Sequence, residues 1–224
     1  MKRDIHRIIT LVKASPNLKT NIICSITMFL SGLTIEIVSS YSKSNNIGGI
    51  FIINSVLYLY QGILLANKSG LVQSSPSAKK LQTVYPFFIR VPIYLLTFII
   101  ISLHRFYITN KVLPDISSEE HYASQCTYIL CLSIICFCYL VFEIISYKKL
   151  VLGLIGLVFS IIPLVICVMS NNKTLDIFHH ISLNSAIVAG FLIITAGSLL
   201  SILIANLLYK YPVSAHVMKV NNKA

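Results

Sequence analysis

The stretch from Gln125 to Ser170 is almost unbroken apolar sequence, and it decides what this chain can become. Wound as one helix at 1.5 Å per residue it would be about 69 Å long, more than twice the thickness of a bilayer's hydrocarbon core. It must therefore fold back on itself. Lys148 and Lys149 are the only adjacent charges within it, and two ammonium groups cannot rest in hydrocarbon, so they mark a tight hairpin at the headgroups.

Four further runs of the same kind flank this hairpin. With its two arms, the expected spans are about 21–41, 48–67, 86–104, 125–147, 150–170 and 180–209, in one transmembrane domain over 1–224. The composition agrees: 56% of residues are hydrophobic, 11% are charged and the mean hydropathy is +0.81. The expectation is an all-α, multi-pass cell-membrane protein with six transmembrane helices. The first run is too long for a leader's apolar region and contains Glu36, so it reads as a span and not as a cleaved signal.

Six spans put both termini on one side. That side collects fourteen basic residues, in 2–19, 68–90, 148–149 and 210–223, against Lys43, Arg105, Lys111 and Lys173 on the other. The bias makes the termini and the 68–90 loop cytoplasmic. The formal charge of +11 is thereby absorbed by orientation signals, which argues against nucleic acid as a partner and leaves membrane lipids. At the amino terminus Ile5, Ile8, Ile9 and Val12 recur at helical spacing, as in a short amphipathic helix lying on the leaflet; a frayed basic tail is the alternative.

The 68–90 loop departs from the rest. In "LVQSSPSAKKLQTVYPFFIRVPIY" (71–94), Ser74 or Ser75 can cap a helix whose first residue is Pro76. Pro86 ends that helix, and Pro92 falls in the first turns of the third span. The result is a short, basic cytoplasmic helix between spans two and three. An amphipathic amino-terminal segment, six spans and a loop reading "SSPSAKK" resemble the permease subunits of type-2 ATP-binding-cassette exporters. The resemblance implies that Ser74, Ser75, Pro76, Lys79 and Lys80 form the segment on which a separate ABC-type ATPase subunit acts. It also implies a homodimer or a second permease subunit as partner. The chain has no GxxxxGK[ST] phosphate loop, so it cannot hold ATP in that manner and is expected to be no enzyme itself. Turn and orientation chemistry alone is the plainer account of the same loop.

Polar residues inside apolar runs are the other candidates. Glu36 must be paired, protonated or hydrated, with Asn54, Gln61 and Gln125 as possible neighbours; it lies either in a substrate path or in an interhelical hydrogen bond. Arg90 and Glu143 fall at the same depth, at the inner ends of spans three and four, and are expected to pair unless each snorkels to the headgroups. Ser182, Ala186, Gly190, Gly197, Ser201 and Ala205 form a small-residue stripe, either a packing face or a dimer face. Gly153, Gly156 and Pro163 suggest a bent fifth span. The histidines near Asp176 and Glu119 lack metal-ligand spacing, no hydrolase motif occurs, and neither metal nor cofactor is expected.

The sequence thus points to a permease subunit of an ATP-driven exporter. The alternatives are a non-transporting immunity, assembly or sensor component, or a small ion-coupled transporter using Glu36 as proton carrier.

Overall fold

The computed structural model describes residues 9–10, 13, 18–40, 47–66, 78–109, 118–169 and 181–211. The amino-terminal amphipathic segment lies almost wholly outside these residues, as do Ser74, Ser75 and Pro76. The described chain is all-α: α1 (Leu18–Ser40), α2 (Gly48–Ala66), α3 (Ala78–Thr83), α4 (Tyr85–Tyr107), α5 (Ser118–Lys148), α6 (Leu150–Phe159), α7 (Ile161–Met169) and α8 (Leu183–Leu208).

Four helical stretches are long and apolar enough to cross a membrane: Leu18–Val38, Ala78–Tyr107, Tyr122–Ser146 and Leu183–Leu208. The protein is a multi-pass helical membrane protein. Two further apolar stretches, Gly48–Tyr60 and Leu150–Ile166, are shorter. The second is split at Ser160, where the helix ends, its hydroxyl turning back 2.6 Å to the Leu157 carbonyl. Pro163 has no N–H to give to the preceding turn, which suits it to the start of a new helix.

Central to the bundle is α5, two-thirds buried over its apolar window. Its core side chains Tyr128, Ile129, Leu132, Ile135 and Leu140 pack with Ile53 of α2, Tyr94 and Phe98 of α4 and Ile194 of α8. The opposite faces carry large apolar groups outward, including Val38, Phe88, Val151 and Leu207, each about 70% exposed. That surface is suited to lipid, where it carries no hydration penalty.

The close pairings are made by glycine. A Cβ on Gly48 would lie 2.5 Å from the Glu36 backbone nitrogen, and one on Gly32 would lie 2.8 Å from that of Ile52, so α1 and α2 meet backbone to backbone. At the basic hairpin Lys149 alone separates α5 from α6. Its amide donates to the Ile145 carbonyl at 2.7 Å and its carbonyl accepts from Gly153 at 3.0 Å. Gly153 then lies directly on the Ser146 backbone and Gly156 on the Phe142 ring.

The small-residue stripe of α8 faces its own bundle. Ala186, Gly190, Gly197, Ser201 and Ala205 are buried. A Cβ on Gly190 would lie 2.5 Å from the Phe98 ring, and one on Gly197 would lie 2.8 Å from Phe137. Ser182 instead caps α8, its hydroxyl accepting from the Ser185 amide at 3.2 Å. This stripe is consumed by packing within one chain.

Candidate functional site

Two buried charge clusters lie fifteen residues apart along α4, at Arg90 and Arg105, which is about 22 Å of helix rise. Both use α5 as the opposite wall. Each holds one carboxylate and one guanidinium, because neither ion is tolerable alone in hydrocarbon.

The first cluster forms around Glu36, which is 3% exposed. Arg105 Nε donates to its Oε1 at 2.6 Å, and the Tyr128 hydroxyl donates to Oε2 at 2.8 Å. The Gly49 amide at the start of α2, which has no partner within its own helix, donates to the same Oε2 at 3.0 Å. Arg105 extends to Gln125 Oε1 at 3.3 Å and lies over the Tyr128 ring at 4.3 Å. Four helices thus converge on one carboxylate.

The second cluster joins Arg90 to Glu143 at 2.5 Å, with side-chain exposures of 0% and 6%. Arg90 also donates to the carbonyls of Tyr139 and Leu140 on α5. Its guanidinium lies 4.2 Å from the centre of the Tyr60 ring of α2 and 5.5 Å from that of Tyr94, a favourable cation–π arrangement. Glu143 Oε1 and Arg90 Nε are buried without a hydrogen-bond partner among the described residues.

Of the neighbours expected for Glu36, Gln125 joins the cluster through Arg105, while Asn54 sits beside Tyr139. The side chain of Gln61 lies outside the described residues. Two participants were not anticipated. Arg105 had been counted among the loop charges, yet it is 2% exposed. Tyr128 carries no sequence signature in an apolar run. Arg105 had one available signal, the shared depth of Glu36 and Arg105 near the same membrane face.

At the Arg90 end, α3 leads into α4 through Val84, whose backbone leaves the helical region at φ −121°, ψ −56°. Pro86 lacks the N–H that would have continued the helix. Ala78 and Thr83 are buried, whereas Lys79 and Lys80 are exposed. Lys148 Nζ donates to Gln82 Oε1 at 3.3 Å and to the Tyr211 carbonyl at 3.0 Å, which joins α3, the α5–α6 turn and the end of α8. Among the described residues no group of three metal-ligand side chains occurs; Asp176, His179 and His180 lie outside them.

No family model matches the chain, and neither a curated protein nor a solved structure is detectably similar to it.

Proposed function

We propose that this protein is the membrane-spanning permease subunit of an ATP-driven exporter, crossing the bilayer six times with both termini cytoplasmic. A separate ATPase docks on the segment containing Lys79 and Lys80. The observation that carries the reading is the seating of α3. It presents two exposed ammonium groups and is held by its own buried face, by Lys148 and by near-continuity with α4. A push on α3 would pass into α4 and then through Arg90–Glu143 into α5. Buried ion pairs suit such transmission because they resist gradual separation.

Docking is tested by capture from native membranes in mild detergent. The expected result is co-purification of a Walker-motif ATPase with the wild-type protein, reduced at least about tenfold by Lys79→Glu with Lys80→Glu, since reversed charges at an interface repel. The thermal midpoint of the bundle should not move. Equal capture by the double variant would remove α3 from the interface.

A bundle that only anchors partners, without transport, is the second reading. Tyr94, Phe98, Ile129, Leu132 and Ile135 fill the space between the two ion pairs and are at most 1% exposed, which favours it. Under the exporter reading the substrate path runs between two subunits and not through one. Failure to capture any ATPase would favour the anchor.

A further inference from the structure

The junction of α3, the α5–α6 turn and the end of α8 contains a narrow cleft whose polar lining is Lys148, Gln82, Tyr209 and Tyr60 of α2 and whose apolar lining is Ile144, Ala205 and Leu208. Its volume is 20 Å³, room for one water-sized group such as a single phosphate oxygen. Exposed Lys149 and Lys210 flank it. The Lys149 ammonium lies 5.0 Å from the centre of the Tyr211 ring, and Tyr211 in turn accepts from Lys148. Among the described residues the one carboxylate at this end is Glu143, already paired with Arg90. The outer surface of the bundle is apolar: on the far side of α8 Leu200, Leu203 and Leu207 are 40%, 61% and 73% exposed.

We propose that this cleft is a binding site for an anionic phospholipid, whose phosphate oxygen enters between Lys148, Gln82 and Tyr209 while its acyl chains stay in the surrounding hydrocarbon. A basic cleft at the headgroup level, in a bundle whose outer surface is apolar, complements a molecule that is negative at one end and greasy at the other. Burial pushes the Lys148 ammonium below the ordinary lysine value, so an approaching phosphate restores solvation that the fold removed. The inference is independent of transport and of any ATPase. It requires only a bilayer.

The full chain, reconstituted with phosphatidylcholine and a minority of phosphatidylglycerol, should on re-extraction retain phosphatidylglycerol preferentially in native mass spectra. Lys148→Gln should cut that preference about fivefold, the worth of one lysine near an anionic surface. Lys19→Gln, an exposed lysine on α1, should leave it intact. Equal losses from both would reduce the effect to bulk surface charge and overturn the site. If Lys148→Gln does not fold, Lys210→Gln must weaken retention, and unchanged retention there overturns the site equally. Inorganic phosphate should not raise the thermal midpoint of the detergent-solubilised protein. A rise matching that given by phosphatidylglycerol would assign the cleft to a free anion and overturn the lipid proposal.

Discussion

Glu36 and Glu143 are both buried carboxylates facing an arginine of α4, yet they are held differently. Glu36 receives hydrogen bonds from Arg105, Tyr128 and Gly49, on three different helices. Among the described residues Glu143 pairs with Arg90 alone, and its Oε1 has no hydrogen-bond partner. Truncating one partner of a buried pair strands the other and costs about 3–5 kcal/mol. Glu36→Ala should therefore lower unfolding stability in mixed micelles by about that much, and by more than Glu143→Ala, because it also removes the acceptor that the Tyr128 hydroxyl and the Gly49 amide share. A larger loss from Glu143→Ala would contradict this ranking. Replacing both Glu36 and Arg105 with methionine should recover most of the loss, since no lone ion remains. Depth in the membrane, which can be counted along a sequence, is what made Arg90 and Glu143 readable as neighbours. The facing of a side chain around its helix cannot be counted so easily, and for that reason Arg105 passed for a loop residue and Tyr128 for ordinary apolar filling.

Among the elements, α6 rests on the bundle along one narrow face. Val151, Leu152, Leu154, Ile155, Val158 and Phe159 of α6 are all more than half exposed or nearly so, and only Gly153 and Gly156 are buried. The attachment to α5 depends on the absence of side chains. Gly153→Ala would drive a methyl into the Ser146 backbone, which cannot move aside, whereas Gly156→Ala meets the Phe142 ring, which can rotate. The first should cost about 1–3 kcal/mol in the overpacking range and the second less, read as thermal midpoints; the reverse order would show that α6 is seated elsewhere. The basic turn before α6 was legible because two ammonium groups leave no other place for it. The start of α5 was not: the helix begins at Ser118, ahead of the expected 125, because Glu119, Glu120 and His121 read as loop while a helix satisfies its own backbone equally well outside hydrocarbon. Splitting at Ser160 had a partial signal in Gly153, Gly156 and Pro163, which fix that a bend occurs but not at which residue.

For the whole molecule, the lysine distribution sets an orientation that labelling can test. A cysteine replacing Lys80 should react with an impermeant maleimide only after the membrane is opened, and one replacing Tyr107, 55% exposed at the far end of α4, should react from outside intact cells. The opposite pattern would invert the protein and put α3 beyond the reach of any cytoplasmic partner. The all-α, multi-pass character was legible at this scale because hydrocarbon permits few ways of satisfying a backbone, whereas of the six expected spans four are long enough to cross and two are shorter. The residues that distinguish one bundle from another were less so, being a handful of polar contacts in a uniform apolar field. Those contacts carry an electrical consequence. A transmembrane voltage does about 2.3 kcal/mol of work per elementary charge per 100 mV, but Glu36 travels with Arg105 and Glu143 with Arg90. Each couple is close to neutral as a body, so swings in membrane potential exert almost no net pull on these two buried couples.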